Sequence, residues 1–278
     1  MKTGALPRAS QAKPKSRRAI RAALWLGIFS LAWLVFTAIR SRQLLKIGAK
    51  IGARNGNFSR DYFVGDPKNA PLLYVSMGDS TAAGWGASNL QDTLPFFVAS
   101  DLAARGFRVR VVNLAVGGAR FEDVQRLQLP ALKRLSPDFI TLIVGANDAI
   151  HFTPLSGAQR DMRLLILSLQ NSGARAVLLA NTPDISLAPA LPGPVSFAAG
   201  RRARELNSLF DRALRETKPN ETKPNDTQIS SVDLFGRGKL NYRRDPQLYA
   251  ADLFHPSGRG YKVWSGVFAA EIKSSGRF

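Results

Sequence analysis

The 278-residue sequence predicts one α/β domain built on a parallel sheet covered on both faces, preceded by a single membrane-spanning helix. Three observations carry this reading. Five short apolar runs of strand character recur after residue 71, amphipathic helical patterns separate them, and an uncharged run of 18 residues lies near the N-terminus. With 45% hydrophobic residues the chain can fill one full-sized core but not two large ones.

Taken in order, residues 1–21 form a basic tail and residues 22–39 the apolar run, bounded by Arg21 and Arg40. At ~1.5 Å per helical residue the run spans ~27 Å, the thickness of a bilayer's hydrocarbon core. The residues closing it, Phe36, Thr37, Ala38, Ile39 and Arg40, offer no small-x-small cleavage site, so the run reads as a retained anchor rather than a signal peptide. Seven basic residues precede it and five follow, a bias that places the tail inside and the remaining chain on the extracytoplasmic side. Residues 40–70 read as a basic juxtamembrane linker. In it Leu44, Ile47 and Ile51 recur at helical spacing against Arg42, Lys46, Lys50 and Arg54. That pattern fits a helix lying on an anionic membrane, or a solvated linker in which Gly48 and Gly52 weaken the helix.

The formal charge of +19 is confined largely to this region. Of 39 Lys and Arg, 13 fall within residues 1–60, where no Asp or Glu occurs, and the other 26 face all 20 acidic residues. With no recognition motif or aromatic-basic patch, nucleic acid is excluded as a partner. The absence of cysteine excludes disulfides, a thiolate nucleophile and Cys-based metal sites.

The domain proper is read as residues 71–278. Its strands are "LLYVSM" (72–77), "RVRVVNLA" (108–115), "FITLIVGA" (139–146), "AVLLAN" (176–181) and "QISSVDLF" (228–235). Helical patterns cover 93–105, 121–135, 157–170, 200–217 and 258–274. The tandem "TKPNETKPNDT" (217–227) reads as a surface loop, and its two Asn-x-Thr triplets match glycosylation sequons.

Ligands of open α/β sheets bind beyond the carboxyl ends of the strands. Gly78-Asp79-Ser80 follows the first strand at that edge, Gly117-Gly118 the second and "GAND" (145–148) the third, while "DLFHPSG" (252–258) precedes the last helix. These four blocks, in this order, resemble the SGNH hydrolases, the GDSL esterase and lipase family, over most of residues 71–274. The resemblance implies a flavodoxin-like three-layer α/β/α sandwich with a five-stranded parallel sheet. It implies Ser80 as nucleophile, His255 as base and Asp252 as its partner, with Ser80, Gly118 and Asn147 forming the oxyanion hole. It implies no metal and no organic cofactor.

The chemistry accounts for these residue types. A serine hydroxyl attacks a carbonyl only when a base takes its proton, and an imidazole, titrating near ~6.5 when unperturbed, can take it and return it to a leaving alcohol. A carboxylate fixes the imidazole tautomer. Only two histidines exist, and each ends an Asp-x-x-His, so Asp148 with His151 forms a rival pair. His255 is preferred because His151 would leave "DLFHPSG" without a role. The nucleophile block departs from many family members in continuing with Thr81 and Ala82, and Gly117 competes with Gly118 as donor.

The loop "PDISLAPALPGPVSFAAG" (183–200) carries Leu187, Leu191 and Phe197, more apolar groups than solvation favours. With Trp85 they are expected to form an acyl-binding wall or a membrane-facing flap, or else to cap the core. The expected activity is hydrolysis of a small-molecule or lipid ester, fatty-acyl or otherwise lipophilic, by a membrane-anchored serine hydrolase. O-deacetylation of a polysaccharide and a non-catalytic binding module are the alternatives.

Overall fold

The computed structural model describes residues 17–55, 58–191, 193–217, 226–243 and 245–278. The sequons at Asn220 and Asn225 lie outside these residues. Two compact units are distinguished, 1–43 and 44–278. Helix α1 (Arg17–Asn55) contains an apolar window, Ile20–Thr37, of mean hydropathy 1.7 with none of it buried. By length and composition it can cross a membrane, and it overlaps the expected span. The helix also continues through the segment carrying Lys46 and Lys50; the side chains of Leu44, Ile47 and Ile51 lie outside the described residues.

The sheet has six strands: β1 (Asp61–Val64), β2 (Ala70–Gly78), β3 (Phe107–Asn113), β4 (Phe139–Ile143), β5 (Ala176–Ala180) and β6 (Gln228–Val232), in spatial order β1-β3-β2-β4-β5-β6. All neighbours run parallel except β1, which pairs antiparallel with β3, Tyr62 opposite Val111. The five parallel strands are those read from the sequence, and their order is the flavodoxin-like one. β1 corrects the expected count of five and places the start of the sheet inside the segment 40–70 read as linker. At four residues it is too short to declare a strand alone. Register comes from the β3 edge, where Arg110 grips Asp61 through Nε–Oδ1 at 2.9 Å and Nη2–Oδ2 at 2.5 Å.

Side-chain alternation along the strands divides the core. Leu72, Tyr74, Phe139 and Leu178 face helices α2 (Leu94–Ala104) and α9 (Gly258–Ser275), packing with Val98, Leu102, Trp264 and Phe268. Val75, Met77, Ile140 and Leu179 face α6 (Leu155–Gln170) and α7 (Gly193–Thr217), packing with Leu165, Leu169 and Leu206. β4 and β5 are buried along their whole length, as parallel strands covered on both faces must be.

Two elements depart from the sequence reading. The expected helix 121–135 is broken into α3 (Phe121–Asp123), a π-helical turn (Val124–Gln128) and α4 (Leu129–Leu132). α7 begins at Gly193, seven residues before its expected start, inside the apolar loop. Pro194 falls in its first turn, where a missing N–H costs nothing.

Candidate active site

The sheet order reverses between β2 and β4, and the crevice forms beyond their carboxyl ends. β2 ends at Gly78 with φ +133°, and a Cβ there would fall on the Ile143 carbonyl of β4, so only glycine fits. A buried side chain, Gln128, holds this residue from the other side. Its Oε1 accepts from Gly78 N–H at 2.8 Å and its Nε2 donates to Gly78 C=O at 2.7 Å. The backbone then turns sharply: Asp79 N–H donates to Ile143 C=O at 3.0 Å, and Asp79 Oδ1 accepts from Thr81 N–H at 2.9 Å. Ser80 sits on this turn, 7% exposed.

The second contributor is the turn before α9. The bridge between Tyr249 and Pro256, with Ala250 N–H donating to His255 C=O at 2.8 Å, closes it. Asp252 Oδ1 accepts from Phe254 and His255 N–H, both at 3.0 Å, so the carboxylate organises the turn that carries its partner. Its other oxygen, Oδ2, lies 2.6 Å from His255 Nδ1, and His255 Nε2 lies 2.9 Å from Ser80 Oγ. Burial pushes the Asp252 carboxyl up, but the bonds from His255 and the two backbone N–H groups outweigh it and hold the group below its ordinary value. With Nδ1–H committed to Asp252, Nε2 is left as the acceptor for the Ser80 proton.

The remaining sequence candidates are distributed as follows. Asn147, in α5 (Ala146–Ile150), donates through Nδ2 to Ala119 C=O at 3.1 Å and so ties β4's exit to the glycine loop. Gly118 is exposed with φ +81°, whereas Gly117 lies against the Trp85 indole. Trp85 stands 5.5 Å, centroid to centroid, from the His255 ring. Leu187 lines a cavity beside His255. Leu191 packs on the α6–α7 side of the core, and Phe197, on α7, is 72% exposed. His151 is exposed at the end of α5, its Nδ1 2.8 Å from Asn147 O. Asp148 is fully buried, and its Oδ2 accepts from Phe121 N–H at 3.2 Å. Among the described residues no cluster of three His, Asp or Glu forms a metal site.

Two residues escaped the sequence reading. Gln128 shares the i, i+4 stripe of Val124 and Leu132, and a polar residue on an apolar stripe is the signal that marks it. Tyr261, fully buried in α9, donates its hydroxyl to Trp85 C=O at 2.5 Å.

A parallel sheet in this order, with a serine after its first parallel strand and a histidine–aspartate turn before its last helix, is the architecture of the SGNH hydrolases. The profile of the GDSL-like lipase/acylhydrolase family matches residues 76–263, and the chain belongs to that family. It is 26% identical over 202 residues to the GDSL-like esterase Rv1075c of Mycobacterium tuberculosis, covering 71% of this chain and 60% of that relative's length. Similar crystal structures include TesA (TM-score 0.58, 19% identity, 73% of this chain and 99% of that one). The esterase EstA from Pseudoalteromonas sp. gives 0.55, 16%, 73% and 97%. The acetylxylan esterase Axe2 from Geobacillus stearothermophilus gives 0.52, 17%, 73% and 95%.

Gln128→Leu removes both bonds to Gly78 and leaves a buried N–H without a partner. Urea unfolding should show a loss of ~2–3 kcal/mol, and an unchanged midpoint would remove Gln128 from its structural role. A second expectation concerns pH. Burial raises the carboxyls of Asp79 and Asp148 from 3.8 to about 6. The folded state therefore takes up protons that the unfolded chain does not, and these groups add stability as pH falls through 6, fully so by about 3.8. Each contributes on the order of 3 kcal/mol. Thermal melts of Asp148→Asn between pH 7.5 and 4.5 should show a smaller rise toward acid than the wild type.

Proposed function

We propose that the protein is a serine ester hydrolase that forms an acyl-enzyme on Ser80 and acts on lipophilic carboxylic esters from a membrane-anchored position. The observation that carries the reading is the continuous relay Ser80 Oγ, His255 Nε2, His255 Nδ1, Asp252 Oδ2 at the sheet's switch point, in a member of an acylhydrolase family. A non-catalytic binding module has no use for such a relay.

In the proposed reaction Ser80 Oγ attacks the ester carbonyl as His255 Nε2 takes its proton. The electron pair displaced from the C=O bond is met by the N–H groups of Ser80 and Gly118 and by the Asn147 amide. One Nδ2 hydrogen of Asn147 holds Ala119 C=O, and the second remains to be given to the oxyanion. Each such donor supplies ~3–4 kcal/mol of transition-state stabilisation. Collapse of the intermediate expels the alcohol, which leaves with the proton from His255. Water, activated by the same imidazole, then cleaves the acyl-enzyme to the acid and restores Ser80. Asp252 holds the tautomer and stabilises the imidazolium formed at each step.

Preference for a lipophilic acyl group is supported by exposed apolar side chains at this sheet edge: Phe152 at 53%, Val195 at 45% and Phe197 at 72%. Arg202 on α7 hydrogen-bonds the Thr153 carbonyl and so joins the segments that carry them. The anchor reading rests on the window Ile20–Thr37, and the extracytoplasmic placement of the domain on the seven-to-five charge bias around it.

His255→Ala should lower kcat/KM on p-nitrophenyl butyrate by at least ~10³-fold while His151→Ala stays within a few-fold. The reverse order would overturn the relay, as would phosphonate labelling that persists in Ser80→Ala. The full chain should stay with membranes through a high-salt wash, since salt screens charges but leaves an apolar helix inserted. Protease added to intact cells should digest residues 61–278. Release by salt would refute the anchor, and protection would reverse its orientation.

A further inference from the structure

α7 follows β5 and so begins at the carboxyl edge of the sheet, where its first turns hold apolar side chains outward. Among the described residues of the unit 44–278, Phe197 is the most exposed large apolar side chain. It cannot turn inward, because the opposite side of its helical turn is already occupied. Ser196 Oγ donates to Ser186 C=O at 2.7 Å, and a Cβ on Gly200 would come within 2.6 Å of Ser186 Cβ. The start of α7 is thereby pinned to the 3-10 turn Ile185–Leu187. The chain between them is tied to the histidine turn, where Ala190 N–H donates to Leu253 C=O at 3.0 Å.

Phe152, at the same edge, is exposed at a backbone cost. α5 closes with Thr153 N–H donating to Asp148 C=O at 3.0 Å, and Phe152 takes the left-handed position, φ +52°, that glycine ordinarily fills. A ring that is both strained and solvated adds little to folding, so such an outlier points to a partner.

Charge accompanies these rings in a fixed order. Phe197, Arg201 and Glu205 follow one another at i, i+4 along one face of α7, ~6 Å apart. Arg201 is 72% exposed, and Glu205 accepts from both Arg201 and Arg202. From the helix tip inward the order is apolar, cationic, anionic, which is the order of a bilayer's acyl region, its anionic headgroups and water. The segments 149–160 and 185–204, which carry Phe152, Val195 and Phe197, contain no Asp or Glu but hold Arg160, Arg201, Arg202 and Arg204. The window Ile20–Thr37 suits the same medium by length and composition.

We infer that this edge is a docking surface for an anionic bilayer: Phe152, Val195 and Phe197 enter its acyl region and Arg201 lies among its headgroups. The crevice then opens against lipid, and an ester reaches Ser80 from the membrane without crossing water. The inference rests on the lipophilic-ester reading for its substrate, whereas docking is a property of the surface itself.

The sequence has no cysteine, so single ones can be introduced as labelling sites. Full-length Phe152→Cys, Phe197→Cys and Ser208→Cys proteins, each carrying an environment-sensitive nitrobenzoxadiazole dye, are reconstituted into vesicles of phosphatidylcholine and phosphatidylglycerol. Dyes at 152 and 197 should shift to the blue and be quenched by doxyl-labelled lipid, while the dye at 208, exposed farther along α7, should emit as in water. Combining Phe152→Ser with Phe197→Ser should lower the ratio of turnover on vesicle-borne monopalmitin to turnover on water-soluble p-nitrophenyl acetate about tenfold; an unchanged ratio overturns delivery from the bilayer. Water-like emission at 152 and 197 overturns the docking surface, as does a blue shift that doxyl lipid does not quench, which would mean that a second copy of the chain covers the rings. Equal quenching in phosphatidylcholine alone overturns the anionic membrane as partner. A protein whose dyes are quenched but which hydrolyses no ester keeps the surface and loses the hydrolase reading instead.

Discussion

At Gly78 the chain must leave the centre of the sheet in a conformation that admits no side chain, with the Ile143 carbonyl where a Cβ would stand. Parallel strands supply neighbours on both sides only while all of them continue, and β3 has already ended at Asn113. Val116 N–H, beyond the end of β3, still reaches Gly78 C=O at 3.0 Å, and the buried Gln128 amide completes the pairing by accepting from Gly78 N–H and giving its C=O a second bond. The π-helical turn that breaks the helix after β3 ends at Gln128, the residue that supplies this pairing. Ser80, two residues later, inherits its position from this arrangement, so a side chain from a distant segment sets its geometry.

Trp85 joins the parts of the site contributed by different segments. Its carbonyl receives the Tyr261 hydroxyl from α9, its ring lies against Gly117, and the same ring flanks His255. The Ser80 turn, glycine loop, histidine turn and last helix are thereby braced through one residue. The sequence reading had cast it as a substrate contact. A rigid aromatic touching three loops is better suited to holding them in register than to following the shape of a ligand.

How much of this was legible depended on whether the information was local. The five parallel strands were readable because burial on both faces demands unbroken apolar runs such as "FITLI" and "AVLLA". Ser80, Asp252 and His255 were readable because each sits in a short block whose turn residues advertise it. β1 was not, since Asp61 to Val64 become a strand only through an edge that already exists. Gly193 and Pro194 hid the start of α7, where they are tolerated only because a first turn needs no N–H donor. Leu191 and Phe197 were grouped with Leu187 by sequence proximity, but Leu191 lies in the bend before α7 and packs on the core, whereas Phe197, on α7, faces solvent.

The antiparallel strand β1 has a mechanical side. It is the first strand the chain enters after α1, so tension carried along the backbone from the N-terminal side reaches β1 before any other part of the sheet. Four residue pairs join it to β3, whereas seven join β3 to β2. Such a strand gives way first and lengthens the chain ahead of the sheet by the slack of its own residues, at up to ~3.3–3.6 Å each when drawn straight. The order β3-β2-β4-β5-β6 and the turn carrying Ser80 do not run through those four pairs, so β1 can peel from the sheet edge while the five parallel strands keep their register.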